Sequence, residues 1–472
     1  MNKKVYLFAA VAALFAACSN NDGAESAEKA EAQAQAQQIA VGFDAYQGRA
    51  LTRAATELST LQATIATGGG FGVFAYYTDN NDYDGQAIPN FMYNQGVEWD
   101  TTDEYWKYEP VKYWPNEYGD DAKAEETDRI SFFAYGPYKA AVASTGKVAG
   151  ATKNIIGFTR NNFAGDPMVK YVVDLDPATS VDLVWGTIGT NTFAAKDGTT
   201  YNAAALQGFP WLNVKRPANT GLASTGATST AAENVKFQFE HALASLNVQV
   251  DAYVDGTDAT NALDKNTRIW IRSISFEGLT TQGALNLNNI ASKVALWKGI
   301  NGDELVSGET VTIYDGRKDG KEGTAAATNE KVTGLNDHLI QSGVYDNYDS
   351  STGLLITGVN GVTKDAVNLF KSATLTDPIY VIPSGDDVKV TIAYDVETYD
   401  ANLSTKLSDN ILPGSSISNV ITQSVTFAGE SKLENGKAYT LKLHLGMNSV
   451  KFDALVTGWD DVAATDTNLP NN

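Results

Sequence analysis

Few side chains in this 472-residue chain are suited to chemistry. The three His, His241, His338 and His444, lie far apart in sequence. His241 sits between apolar residues in FEHAL (239–243) and reads as a hydrogen-bonded structural residue rather than a base or ligand. The one Cys, Cys18, excludes an intrachain disulfide and any zinc or iron–sulfur site built on several thiolates. Residues 80–85 (NNDYDG) carry the oxygens of a calcium loop, but the twelfth place, where a bidentate Glu is needed, holds Phe91. A solvated turn is the better reading. The run 68–72 (GGGFG) lacks the Lys-Ser/Thr of a phosphate cradle and reads as a turn before a strand. No Gly-x-Ser-x-Gly elbow or His-Glu-x-x-His helix is present, and no spacing singles out a carboxylate pair. The chain is therefore not expected to be an enzyme, and neither a cofactor nor a metal is expected.

One reactive group has a strong context. Lys3 and Lys4 precede an apolar run, 5–15, too short to span a bilayer but suited to a signal peptide. Ala16, Ala17 and Cys18 follow, in the order of a bacterial lipobox. This predicts a signal peptide over 1–17 and a diacylglycerol on Cys18, which would hold the chain to a membrane. Residues 19–38 are polar and rich in Ala and Gln, and read as a tether.

What must position these groups is a β body. The sum of 35 Lys and Arg against 56 Asp and Glu gives a net charge of −21, which argues against a nucleic-acid surface. An apolar share of 43% is enough for a sizeable core. Past residue 38 apolar residues recur with period two. Ile39, Val41 and Phe43 alternate, as do Val235, Phe237 and Phe239, and then Leu246, Val248 and Val250. The clearest sets are Val388, Val390, Ile392, Tyr394 and Val396, and Tyr439, Leu441, Leu443 and Leu445. Such alternation buries one face of an antiparallel strand. Many short strands with turn residues between them predict an all-β chain of antiparallel sandwiches. The stretch 216–232 lacks aromatics and is rich in Thr, Ala, Ser and Gly, which suggests a boundary there or a long loop. The aromatic cluster Trp106, Tyr108, Tyr113 and Trp114 reads first as core packing and second as a sugar-stacking platform.

Several segments together resemble the fimbrillin family of Bacteroidetes. They are YWP (113–115), ISFFAYGP (130–137), DLVW (182–185), FQFEHALASL (237–246), YVIP (380–383), LENGKAYTL (433–441) and VTGW (456–459). The resemblance implies two transthyretin-like β-sandwich domains in a lipoprotein precursor bound for the outer membrane. It divides the chain into a lipoprotein signal peptide (1–17), a tether with a removable first strand (18–53), an N-terminal sandwich (54–225) and a C-terminal sandwich (226–472). It implies an Arg-specific protease cutting after Arg53, before Ala54, or alternatively after Arg49, before Ala50. Loss of the strand at 39–43 would open a groove for a neighbouring subunit's strand, and Val450, Phe452, Ala454 and Val456 alternate as such a donor would. The implied partners are other fimbrillin subunits, outer-membrane lipid through Cys18 and the protease. Removing 1–53 takes Lys3, Lys4, Lys29, Arg49 and Arg53 together with Asp22, Glu25, Glu28, Glu31 and Asp44, five charges of each sign, so the body stays at −21. The alternative reading is a monomeric surface lipoprotein that binds a host glycan or protein through its aromatic cluster.

Overall fold

The computed structural model describes residues 40–47, 56, 58–79, 81, 83–114, 129–187, 193–194, 200–201, 234–252, 267–288, 294–306, 308–315, 339–341, 348–349, 354–355, 367–368, 378–383, 385–406, 413–426, 432–445 and 450–458. In chain order the strands are β1 (Phe43–Gln47), β2 (Phe71–Asp79), β3 (Met92–Asp100), β4 (Tyr105–Lys107), β5 (Arg129–Gly136), β6 (Asn154–Phe158), β7 (Met168–Val172), β8 (Val184–Thr187), β9 (Phe193–Ala194), β10 (Thr200–Tyr201), β11 (Val235–His241) and β12 (Ala244–Ala252). They continue as β13 (Thr267–Leu279), β14 (Gln282–Asn286), β15 (Leu296–Lys298), β16 (Glu309–Asp315), β17 (Leu339–Gln341), β18 (Tyr348–Asp349), β19 (Leu354–Leu355), β20 (Val367–Asn368), β21 (Ile379–Val381), β22 (Lys389–Tyr399), β23 (Gly414–Ser424), β24 (Lys437–Leu445) and β25 (Val450–Gly458). Among the described residues the helical pieces are one short helix, Leu58–Leu61, and one 3-10 turn, Ile65–Thr67. The all-β class expected from the alternation is the one that forms.

The first sheet has the order β1-β11-β8-β5-β2-β3-β4. Its strands pair antiparallel except β1, which runs parallel to β11. Its two ends come together. Ala40 bridges Tyr113 antiparallel, and the Val41 amide donates to the Lys112 carbonyl at 2.9 Å. The enclosed face is one cluster that includes Val41, Phe43, Phe71, Val73, Phe132, Ala134, Val235, Phe237 and Phe239. The opposite face of the same strands sends Phe74, Tyr76, Phe133, Tyr135 and Trp185 into a second, larger core. Strands β2 and β5 thus bury both faces, which is why FGVFAYY and ISFFAY read as continuous apolar runs rather than as alternation.

The larger core continues between two further sheets, β20-β12-β24-β25 and β16-β13-β22-β23, with β21 added to β12 and β17 to β13. Leu246, Val248, Leu441, Leu443 and Leu445 come from the first of these. Ile274, Phe276, Val390, Ile392 and Tyr394 come from the second. Both period-two sets read from the sequence are buried in full. Each such side chain contributes about 1.5–3 kcal/mol by leaving water. A fourth sheet, β15-β14-β7-β6, draws strands from both halves of the chain, through the antiparallel pair β14–β7. Strand β11 likewise follows the expected boundary at 225/226 yet pairs with β8 and β1. The pairs β9–β10 and β18–β19 are two-residue ladders.

Tyr135 shows how the sheet is fixed locally. Its hydroxyl donates to Asn94 Oδ1 at 2.7 Å and accepts from the Lys139 amide at 3.2 Å. Its ring lies over Gly72, where an added Cβ would come within 2.2 Å of a ring carbon. The glycine run before β2 is the expected turn, with Gly68 at φ 92° and Gly70 at φ 72°. Burial raises the Tyr135 hydroxyl well above its ordinary range. Tyr135→Phe should leave Asn94 Oδ1 without this donor and lower stability by about 1–3 kcal/mol. Urea unfolding monitored by tryptophan fluorescence checks this, and an unchanged midpoint would contradict it.

Candidate functional site: the slot that holds the first strand

The site is assembled around residues 40–47. On one side β1 runs parallel to β11 in the register Phe43↔Val235, Ala45↔Phe237 and Gln47↔Phe239. The Val235 amide also donates to the Gly42 carbonyl at 2.8 Å. On the other side the chain just before β1 is held by residues 112–113, and the Tyr108 hydroxyl donates to the Val41 carbonyl at 2.8 Å. That hydroxyl in turn accepts from the Lys112 amide at 3.2 Å. Residues 40–47 therefore lie in a slot, held on one flank at 40–41 and on the other from Gly42 onward.

The floor of the slot is aromatic. Val41, Phe43 and Ala45 alternate into it and are buried. The Phe43 ring centroid lies 5.3 Å from Tyr108, 6.0 Å from Phe132, 6.1 Å from Phe237 and 6.3 Å from Phe71. Trp106 continues the wall against Phe71 at 4.8 Å, and Trp114 lies against Phe132 at 5.6 Å. The hairpin between β3 and β4 is pinned by Lys107 Nζ donating to Asp100 Oδ2 at 2.9 Å. That bond, with the amides of Thr102 and Asp103, holds the Asp100 carboxyl down at about 2.

The first strand starts later than the sequence pattern suggested. Val41 and Phe43 do alternate inward, but the ladder with β11 begins at Phe43 and runs to Gln47, instead of spanning 39–43. The physical reason is a change of partner. Ala40 and Val41 pair with 112–113 on the opposite flank, and the strand meets β11 only after Gly42. Ile39 lies outside the described residues, as do Cys18, Arg49, Ala50, Arg53 and Ala54.

Downstream of those Arg residues the chain is fixed again at Thr56. Its amide donates to Asp182 Oδ2 at 3.0 Å, and its hydroxyl donates to the Asp182 carbonyl at 3.0 Å. The same Oδ2 lies 2.6 Å from His241 Nδ1, with both side chains buried. His241 is thus the hydrogen-bonded structural residue expected of it. The parts played by Thr56, Asp182 and Tyr108 were not legible beforehand. Only the nearness of one His and one Asp to apolar strands hinted at a buried pair.

Three of the four residues of the aromatic cluster are core, as first expected, while Tyr113 is 48% exposed. Trp106 and Trp114 are only 7% and 3% exposed, and Tyr108 is buried beside them. They pack in T-shaped contacts against Phe71, Trp99, Phe132 and Phe43. Val450, Phe452, Ala454 and Val456 fall on β25, opposite Leu445, Leu443, Leu441 and Tyr439 of β24. The strand occupies the edge of its own sheet and is not brought to the slot. Among the described residues no group of His, Cys, Asp and Glu is arranged to hold a metal ion. No helix of the described residues is long and apolar enough to cross a membrane.

The chain has relatives among known proteins. It is 24% identical over 452 residues to the fimbrium subunit Fim1C of Phocaeicola vulgatus, covering 91% of each chain. The chain resembles the Bacteroidetes fimbrillins. No family model matches it. Among solved structures it is similar to a fimbrial assembly protein of Parabacteroides distasonis, at 8% identity, 91% and 100% coverage of the two chains and a TM-score of 0.29. It is also similar to the C-terminally truncated tip fimbrial protein Mfa3 of Porphyromonas gingivalis, at 9% identity, 89% and 100% coverage and a TM-score of 0.28.

The grip on the first strand can be tested directly. Burial, its largest cause, pushes the Tyr108 hydroxyl up to about 12 from an ordinary 10. The neutral hydroxyl is thus the form the fold prefers. Its contribution is intact below pH 10 and is lost as pH rises through about 12. Tyr108→Phe should speed amide exchange at residues 43–47 already at pH 7 and remove this part of the alkaline loss. Phe43→Ala should cost about 3–5 kcal/mol, with the same amides exchanging fastest. Exchange at 43–47 no faster than in the parent chain would show that neither group holds the strand.

Proposed function

We propose that the chain is a fimbrial subunit, exported as a lipoprotein and made ready for assembly when its first strand is removed. The observation that carries this reading is the slot: the stretch 40–47 is held on one flank at 40–41 and on the other at 43–47, with three apolar side chains on an aromatic floor. The relative named a fimbrium subunit, similar over 91% of each chain, supports the biological setting.

In this reading Cys18 carries the lipid and brings the precursor to the outer membrane. An Arg-specific protease cuts after Arg53, or after Arg49. Both lie between the end of β1 at Gln47 and the anchored Thr56. The cut separates the lipid and β1 from the body, while Thr56 stays tied to Asp182. Once β1 leaves, the Val235 amide loses its acceptor and the nest around Phe43 opens to water. A bare edge beside apolar pockets recruits a strand. The donor is β25 of the next subunit, with Val450, Phe452, Ala454 and Val456 taking the inward places. Main-chain bonds supply affinity and the alternate side chains fix register. Because slot and donor are different surfaces, the contact repeats head to tail and grows a filament.

We further infer that the two sandwich units of the sequence reading, 54–225 and 226–472, share strands. Strand β11 reaches back to the first sheet, and β14 completes the sheet of β6 and β7. The subunit has no catalytic role in this account. Its partners are other subunits, membrane lipid and the processing protease.

The test is Edman sequencing of the amino terminus of surface-sheared polymer. A start at Ala54 is expected, and a start at Ala50 moves the cut to Arg49. A polymer that retains residues 40–47 would refute strand removal. In parallel, a fluorescent peptide covering 448–459 should bind the protease-treated chain and not the uncut one. Equal binding to both would remove the slot as its receptor.

A further inference from the structure

The strand β23 has no part in the slot or the donor. It has eleven residues, GSSISNVITQS, and pairs with β22 along its whole length in unbroken register, from Lys389↔Ser424 to Tyr399↔Gly414. Among the described residues β22 is the only strand paired with it, which leaves β23 at the end of its sheet. Its core side is covered only in part: Ile421, opposite buried Ile392, packs against the core. Ile417 stands opposite buried Val396 yet is 56% exposed, and Val420 opposite Ala393 is 71% exposed. Most of the strand thus lies beyond the layer that covers its neighbour β22.

Natural sheet edges are usually guarded by Lys, Pro, a bulge or shortness. The other strands ending sheets here follow that rule. The three-residue β4 ends in Lys107, β16 carries Glu309 and Asp315, and β25 carries Lys451 and Asp453. Strand β23 has none of these guards, and it is the longest named strand without an ionisable residue.

We propose that the outer edge of β23 is a self-association surface, on which a second copy of this chain lays its own β23 antiparallel. The chain's charge selects that occupant. At −21 each copy repels another over most of its surface, and an uncharged strip is where two copies can close. Symmetry supports it too. A two-fold contact uses one patch on both copies, and it necessarily sets a strand antiparallel to itself. An axis through Asn419 places the exposed Ile417 opposite the partly buried Ile421 of the second copy, twice. Pairing along all eleven residues gives about ten main-chain hydrogen bonds, the number found in a whole standard interface. Strand removal is not needed, so the surface works in the uncut chain and the inference stands apart from the assembly reading.

The experiment uses the full, uncut chain carrying Cys18→Ser and Asn419→Cys, so that the engineered thiol is the only one. Mild oxidation should give a disulfide-linked dimer, and Ser424→Cys in the same background should not, because its register partner is Gly414. Sedimentation equilibrium of the chain with Cys18→Ser should give a dimer mass, and Val420→Lys should return it to monomer with an unchanged far-UV spectrum. Cross-linking at Asn419→Cys no greater than at Ser424→Cys overturns the proposal. So does a dimer that survives Val420→Lys, or a cross-linked species in which mass spectrometry finds the 450–458 strand against β23.

Discussion

Residues 40–47 are gripped by main-chain hydrogen bonds on both flanks, and the closure of the first sheet depends on that grip. The sheet starts and ends at this strand. β11 lies on one flank and the chain after β4 on the other. Burying Val41 and Phe43 contributes about 1.5–3 kcal/mol each, and every ladder bond about 0.5–1.5 kcal/mol net. A domain's whole margin is about 5–15 kcal/mol. One short strand therefore carries a large fraction of the stability of the sheet it closes. A body deprived of it has a strong thermodynamic reason to accept a substitute of similar pattern.

The loss would nevertheless be confined. Asp182 is buried and receives the Thr56 amide on the same oxygen that faces His241. A buried carboxylate without partners is costly, so this arrangement resists being taken apart. It fixes the chain just beyond both candidate Arg residues. Among the described residues, 40–47 are held by the slot, and Thr56 is held by a separate buried network. In the proposed maturation this division makes one cut sufficient to separate a strand from a body that remains folded.

The parts of this architecture legible in the sequence were those set by local periodicity. Val388 to Val396 and Tyr439 to Leu445 alternate because one face of each strand meets the sandwich core, and they were read correctly residue by residue. The continuous runs in β2 and β5 signalled strands, but not that their two faces serve different cores. Pairing was not legible at all. β11 joins β1 from about 190 positions away, and β14 joins β7 across the expected boundary, because partner choice depends on the packing of whole layers rather than on any local pattern. At the slot, Val41 and Phe43 were legible as inward residues. Tyr108 was legible as core, but not as the donor that holds the Val41 carbonyl. The change of partner at Gly42 left no trace in the pattern, since side chains keep alternating while the backbone trades one flank for the other.

The aromatic cluster weighs most between assembly and glycan binding. Trp106, Tyr108 and Trp114 have the composition of a sugar platform, but a platform needs a ring face in contact with water. Here all three residues are buried among other rings in T-shaped contacts, and one of those rings belongs to the first strand itself. Trp106 and Trp114 would still pack against Phe71 and Phe132 after removal of β1. That removal would leave a furrow the width of one strand, apolar on its floor and lined by peptide groups on its flanks. A sugar offers hydroxyls on both faces and no row of amides, and leaves those peptide groups partly unmet. A polypeptide strand with apolar side chains at every second place meets both demands at once, and this complementarity favours a peptide as the natural ligand of the slot.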